Sequence, residues 1–267
     1  MKACIEIRNL HKVFPSARRN RAHVVALEGI NVSVSHGEIY CLLGPSGCGK
    51  STILEIVAGF EPTSAGTVLV DGEPVTKPSP DRAVVFQQPQ LFPWLSVLNN
   101  VLFGPTVQRR LNDGAALRRA EELLRLTGLE EFKHHHVYQL SGGMRQRVAI
   151  ARALINEPKV LLMDEPFGAL DAQTRVAMQE LLLSIWSELK PTIVFVTHDV
   201  EEALFLGDRV GVMSTRPGRM RMEVTVPIAR PRTIEELTSR TFVELKAGVL
   251  RELRAETAGT AGTAGSS

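Results

Sequence analysis

The nine residues Gly44-Pro45-Ser46-Gly47-Cys48-Gly49-Lys50-Ser51-Thr52 constrain this chain more than any other stretch. They fit G-x-x-x-x-G-K-[ST], the pattern of a loop that cradles phosphate. Glycines at these positions allow backbone angles closed to residues with a Cβ, so successive N–H groups can turn toward one anion. Lys50 adds a compact positive charge for the outer phosphates, and the Ser51 hydroxyl is the expected Mg²⁺ ligand. The flanks supply the context. Glu38-Ile39-Tyr40-Cys41-Leu42-Leu43 reads as a buried strand, and Ile53-Leu54-Glu55-Ile56-Val57-Ala58-Gly59 as a helix closed by glycine. Strand, loop and helix in that order aim a helix N-terminus at the phosphates.

Three later stretches carry matching chemistry. Val160-Leu161-Leu162-Met163-Asp164-Glu165 is an apolar strand ending in two carboxylates. In a parallel sheet such a strand delivers its last side chains to the edge that holds the phosphate loop. Asp164 is then placed to hold Mg²⁺ and Glu165 to act as general base toward a water. Thr192-Ile193-Val194-Phe195-Val196-Thr197 is another buried strand, ending at His198, a candidate contact for the terminal phosphate. Leu140-Ser141-Gly142-Gly143-Met144-Arg145-Gln146-Arg147 opens a helix with Ser141 as N-cap. A serine and two glycines at a helix start can make a second anion site, but taken alone the stretch reads first as a plain cap with a flexible entry. Asp171 reads as the N-cap of a helix running to about Leu189.

The remaining segments are read from pattern. Residues 1 to about 43 look like β structure, with Phe14 in an Arg-rich loop between two strands; it suits a core position or an exposed platform equally. Arg18, Arg19 and Arg21 read as a solvated cluster. Thr67 to Gly72 is a strand entering an Asp-Gly turn, and Ala83-Val84-Val85-Phe86 a short strand stopping before Gln87. Leu91-Phe92-Pro93-Trp94-Leu95 is apolar but broken by proline, so its side chains are tucked in or waiting for a partner. Asn112 to Thr127 is a helical pattern, and residues 98–156 look all-helical. His134-His135-His136 cannot face one ion on regular structure and reads as a solvated loop. Val210 to Met213 and Met220 to Val226 read as edge strands.

Bulk properties narrow the class. A net charge of +2 argues against a dedicated nucleic-acid surface. Three cysteines without metal spacing fit a reducing compartment. Cys48, at a helix N-terminus, is expected to react with alkylating agents. No apolar run is long enough to span a membrane and no signal-peptide pattern is present, so work at a membrane would go through a partner.

The order of phosphate loop, glutamine after a short strand, LSGGMRQR, LLMDEP and histidine after a strand resembles the nucleotide-binding subunit of ABC transporters. The resemblance covers about residues 3 to 230, and LSGGMRQR is its specific part. It implies an α/β fold: a P-loop NTPase (RecA-like) core with an antiparallel β subdomain and an inserted α-helical subdomain. The implied boundaries are 1–88 and 157–230 for the core, 89–156 for the helical part, 231–256 for a C-terminal helical extension and 257–267 for a disordered tail. It further implies that two copies pair head to tail, each ATP lying between Gly44–Thr52 of one and Ser141, Gly142 and Gly143 of the other. Phe14 would stack on adenine. Gln87 would sit near Mg²⁺ and the attacking water, His198 would contact the γ-phosphate, and Asp171 would contact the opposite subunit. Mg²⁺ would then be held by Ser51, Gln87 and Asp164.

Finer features, Leu91-Phe92-Pro93-Trp94, Phe167-Gly168-Ala169-Leu170-Asp171 and Arg216-Pro217-Gly218-Arg219, look like the importer branch for nitrate, sulfonates or taurine. That branch implies a separate membrane permease, a periplasmic solute-binding protein acting indirectly, no nucleic-acid partner, and a peripheral position on the cytoplasmic face of the cell membrane. Two departures from the pattern are Tyr138, where proline is common, and the absence of a third acid near Asn99-Asn100. The other class to separate is a soluble ABC ATPase of DNA repair or translation. Such chains usually carry two nucleotide modules, a long insertion or a basic arm. A small-molecule kinase would not need LSGGMRQR.

Overall fold

The computed structural model describes residues 3–15, 23–109, 114–215 and 217–261, with side chains up to residue 254. Arg18, Arg19, Arg21, Asn112, Arg216 and the tail beyond residue 261 lie outside the described residues. The chain divides into two compact units, one formed by residues 1–78 and 192–267 and the other by 79–191.

The first unit contains β1 (Ala3–Phe14), β2 (Val24–Ser35), β3 (Ile39–Leu43), α1 (Lys50–Ala58), β4 (Ala65–Val70) and β5 (Glu73–Pro74). The second contains β6 (Arg82–Val85), α2 (Val97–Val101), α3 (Phe103–Val107), α4 (Ala115–Leu126), α5 (Gly142–Leu154), β7 (Val160–Asp164) and α6 (Ala172–Leu189). The chain then returns to the first unit with β8 (Thr192–Thr197), α7 (Val200–Leu206), β9 (Arg209–Met213), β10 (Met220–Thr225) and α8 (Arg240–Ala261).

Two sheet regions build the first unit. One is antiparallel, in the order β2-β1-β4-β5. Its buried residues Ile5, Ile7, Leu10, Leu27, Ile30, Val32, Val34, Val68 and Val70 form one apolar face. Asp71 (φ 52) and Gly72 (φ 84) are both left-handed, as a two-residue hairpin turn requires. The other region runs β10-β9-β3-β8, with β3 parallel to both β8 and β9. All of β3 and β8 is buried, as expected for a parallel sheet covered on both faces. Leu43 pairs with Thr197 and with Val212, so the segments after β3, β8 and β9 leave from one edge.

In the second unit β6 pairs in parallel with β7, Val85 opposite Met163. The helices between them follow the expected periodicity, and α4 buries Ala120, Leu123 and Leu124 while Leu117 is exposed. The proline-broken stretch is organised by one side chain. Asn100 is 0% exposed. Its Oδ1 accepts from the Phe92 N–H at 2.9 Å, and its Nδ2 donates to the carbonyls of Phe92 (3.1 Å), Leu95 (3.3 Å) and Ser96 (3.0 Å). The Ser96 carbonyl also accepts from the Asn100 N–H and the Phe92 carbonyl from the Leu95 N–H, so the side chain adds its bonds where this stretch has only turn and cap hydrogen bonds of its own.

Three expectations are corrected. Phe14 ends β1 rather than lying in a loop, because Lys12, its buried neighbour in the strand, is satisfied by Glu61 and the Pro62 carbonyl. β9 is not an edge strand; it lies between β3 and β10, and β10 alone continues to the sheet edge. Helix α8 runs to Ala261, into the repeat expected to be disordered.

Asn100→Ala removes the side-chain partner of the Phe92 N–H and of the Leu95 carbonyl and is expected to lower stability by about 2–3 kcal/mol. The exposed neighbour Asn99→Ala is expected to change it by less than about 0.5 kcal/mol. Urea denaturation of the two variants measures the difference.

Candidate functional site

In the first unit the chain leaves β3 at Leu43 and enters α1 at Lys50. Gly49, the N-cap residue, has φ 100, and a Cβ there would lie 2.5 Å from Leu27 Cδ2. No side chain caps α1 and no acidic residue occupies its first turn, so its N–H groups keep their attraction for an anion. Lys50 is buried, and its Nζ donates to the carbonyls of Gly44 (2.7 Å) and Pro45 (3.1 Å). The ammonium is thus drawn back over its own loop. Ser51 is exposed at the start of the helix and Thr52 half-buried. Cys48 is 1% exposed, so the expectation of an accessible, readily alkylated thiol is corrected.

One residue of this region was not singled out for a role in the loop. Gly218 donates its N–H to Ala26 O at 2.9 Å and accepts from the Glu28 N–H at 3.0 Å. A Cβ on Gly218 would lie 2.1 Å from the Cys48 carbonyl oxygen. Backbone therefore lies against backbone beneath the phosphate loop. The signal was present in Pro217-Gly218-Arg219, but only as a branch feature.

His198 follows β8 and is exposed. On either side of it the chain is fixed: the Thr197 hydroxyl donates to Glu202 Oε2 at 2.6 Å and accepts from the Asp199 N–H at 3.0 Å. Phe14 is half-buried, and Lys12 Nζ lies 4.7 Å from its ring centroid.

In the second unit Gln87, Asp164 and Glu165 follow the paired ends of β6 and β7. Asp164 and Glu165 are half-buried and Gln87 exposed. Glu165 has φ 43, an uncommon angle for a residue with a side chain. A Cβ built on Gly168 would meet Gln87 Nε2 at 3.2 Å and Glu165 Oε2 at 3.8 Å. The bare backbone of Gly168 is thus the surface on which the glutamine and the second carboxylate come together. The segment after Gln87 is fastened to α5. Gln146 Nε2 donates to Phe86 O at 3.3 Å, and Arg152 donates to Pro89 O (3.0 Å) and Gln90 O (2.8 Å) while lying over the Phe92 ring. Burial lowers the Arg152 pKa below the usual arginine value. Beyond this anchor Trp94 is 70% exposed.

The start of α5 has the expected cap. Ser141 Oγ accepts from the Met144 N–H at 3.2 Å. A Cβ on Gly143 would lie 2.8 Å from Thr174 Cγ2, so this glycine is required by the approach of α6. Ser141, Gly143, Met144, Arg147, Gln173 and Thr174 line part of a cavity of about 400 Å³. Asp171 caps α6, accepting from the Thr174 N–H at 3.0 Å, and hydrogen bonds from the Thr174 backbone and side chain hold its carboxyl below the usual range. The three histidines do not converge: His135 meets the Phe132 ring and His136 stacks on Tyr138.

Residues 27–168 match the family model described as ABC transporter. The taurine import ATP-binding protein TauB of Roseobacter denitrificans is 49% identical over 210 residues, 79% of this chain and 78% of that protein. The nitrate import ATP-binding protein NrtD of Synechococcus elongatus is 48% identical over 226 residues, covering 84% and 81%. Among solved structures, a dimeric ATP-binding cassette in a post-hydrolysis state with ADP and Pi is similar at 32% identity and a TM-score of 0.72, covering 84% of this chain and 100% of that one.

Gly218→Ala forces a methyl group into the Cys48 carbonyl and is expected to cost about 1–3 kcal/mol of stability by overpacking. Because the contact is with the phosphate loop, calorimetry is expected to show weaker adenine-nucleotide binding as well, whereas Arg219→Ala, at an exposed ion pair, leaves binding near wild type.

Proposed function

The chain belongs to the ABC transporter family, and from that footing we propose that it is the ATP-hydrolysing subunit of an import system of the nitrate, sulfonate or taurine type. It is an ATPase of the ABC cassette class. The observation that carries the import reading is its 48–49% identity to nitrate and taurine import ATP-binding proteins over about four-fifths of the chain.

ATP is proposed to lie on Phe14 and on Gly44, Pro45, Ser46, Gly47, Cys48, Gly49, Lys50, Ser51 and Thr52. Lys50 would exchange two neutral carbonyls for phosphate oxygens, a gain in charge–charge attraction. Ser51, Gln87 and Asp164 offer a hydroxyl, an amide and a carboxylate, hard oxygen donors of the kind Mg²⁺ takes. Bound there, Mg²⁺ would neutralise phosphate charge. Glu165 accepts the proton of the attacking water, Gln87 orients that water, and His198 contacts the γ-phosphate.

The open N-terminus of α5, with Ser141, Gly142 and Gly143, is proposed to bind the ATP of a second copy in a head-to-tail dimer, with Asp171 at the contact. Donors from both copies then meet one nucleotide. ATP closes the dimer, and loss of the γ-phosphate releases it. The movement passes to a separate membrane permease through the segment from Gln87 to Trp94, whose exposed ring is available to a partner. The permease would be supplied by a periplasmic solute-binding protein. No helix among the described residues is long and apolar enough to cross a membrane. By its likeness to import ATP-binding subunits the chain is proposed to sit on the cytoplasmic face through the permease, with no nucleic-acid partner.

Glu165→Gln is expected to keep ATP affinity, to reduce turnover about 100-fold or more, and to accumulate as an ATP-bound dimer in size-exclusion chromatography. ATPase activity near wild type in that variant would remove Glu165 as the base. Purification in detergent tests the cellular role: a co-purifying permease supports import, whereas ribosomes or DNA in its place would overturn it.

A further inference from the structure

The segment after β10 carries none of the machinery described so far, yet it buries a guanidinium. Arg232 is 5% exposed. Its Nη1 donates to the carbonyls of Leu204 (3.1 Å), Phe205 (3.0 Å) and Gly207 (2.7 Å), and its Nε to Ile228 O (3.1 Å). Arg230 takes the carbonyl between them, its Nη2 donating to Leu206 O at 2.5 Å and its Nε to Asp208 Oδ1 at 2.9 Å. Two side chains thus satisfy the carbonyls of four successive residues, 204 to 207. These are the groups a helix leaves without donors at its C-terminus, and positive charge is favoured at that end.

The helix they close is α7, of seven residues. A helix this short does not hold its shape unaided. Helix α8 adds to the hold: it packs against α7, buries Phe242 and Val249, and pairs Lys246 with Glu201. The other end of α7 bears on the histidine. Asp199 caps it, accepting from the N–H groups of Glu201 (2.8 Å) and Glu202 (3.2 Å). Buried Glu202 holds the Thr197 hydroxyl, and that hydroxyl holds the Asp199 N–H. His198 is the residue between these two fixed neighbours. Burial lowers the Arg232 pKa to about 10, so the cation persists at neutral pH.

We infer that Arg232, assisted by Arg230, is a positioning residue for His198: the C-terminal segment clamps α7, and α7 sets where the histidine is presented. This rests on the assignment of His198 to the γ-phosphate. Among the described residues the hydrogen bonds of Arg232 go to residues 204, 205, 207 and 228, none of them in the phosphate loop, so the clamp governs turnover and leaves nucleotide affinity alone. An extension that reads as an appendage is thereby part of the hydrolytic device.

The test is a double-mutant cycle on ATPase kinetics. Arg232→Ala is expected to lower kcat about tenfold or more, since small misplacements of a reacting group have large effects, with KM for ATP within about twofold of wild type. Arg232→Lys, a point charge that cannot span the same carbonyls, recovers part of the loss. In the His198→Ala background Arg232→Ala is expected to add nothing, because both act through one group. Losses that multiply in the double variant would overturn the clamp, as would a kcat unchanged by Arg232→Ala. Wild-type turnover in His198→Ala alone would instead remove the histidine assignment. If Arg232→Ala does not fold, Arg232→Lys enters the same cycle with the same two outcomes.

Discussion

A strand buried on both faces has to hand its chain to a helix within six residues, and the whole site hangs on how that turn is held. β3 ends at Leu43 and α1 begins at Lys50. The turn is enclosed by segments distant in sequence: Leu27 against Gly49, Met213 against Gly44, and Gly218 against Cys48. A Cβ would lie 2.5 Å from Leu27 Cδ2 if placed on Gly49 and 2.1 Å from the Cys48 carbonyl oxygen if placed on Gly218, and on Gly44 it would press on the Met213 carbonyl at 3.1 Å. The loop is therefore shaped by its surroundings before any phosphate arrives, which spares the ligand the entropy of ordering it. Lys50 is buried but keeps two carbonyl partners, so the ammonium is not left unsatisfied. Those two carbonyls are neutral and belong to the loop that Lys50 itself follows.

What could be read from the sequence was what is local. The strand, loop and helix around Gly44–Thr52, the caps Ser141 and Asp171, and the end of α6 follow from residue type and spacing within a few positions, and the structure has them as expected, with α1 starting three residues earlier than its apolar pattern. What could not be read depends on contacts between remote segments. Gly218 looks like an ordinary turn glycine until Cys48 is seen above it. Cys48 occupies a position that favours a reactive thiol, and only packing closes it off. β9 contains Gly211, which weakens a strand signal; a Cβ there would lie 2.4 Å from the Tyr40 hydroxyl on the neighbouring strand. Phe14 belongs to β1 although Lys12 breaks the apolar alternation of that strand, and the ion pair of Lys12 with Glu61 is invisible to any short window.

The second unit shows why the LSGGMRQR helix and the glutamine segment behave as one piece. Helix α5 presents Gly142 and Gly143 at its start, while Gln146 and Arg152 farther along hold the carbonyls of Phe86, Pro89 and Gln90. Asn100 then fixes the backbone from Phe92 to Ser96. The chain from Gln87 to Trp94 has no helix or strand of its own, so its shape is set by these two side-chain anchors. A displacement of α5 would be carried to Trp94 through hydrogen bonds to main-chain groups, which transmit position more faithfully than apolar contact because their geometry is directional.

Glu165 and Gly168 show how one constraint can fix two positions in opposite senses. Glu165 is held at φ 43, a conformation that costs a residue with a Cβ about 1–2 kcal/mol. Glycine would relieve that strain and delete the carboxylate. At 168 a side chain would be conformationally easy, yet it would press on Gln87 Nε2 and approach the same carboxylate. The strained position has to keep its side chain and the relaxed one has to do without. Local conformational preference argues for the reverse choice at both, so what holds these residue types in place is the convergence of an amide and a carboxylate on one patch of backbone.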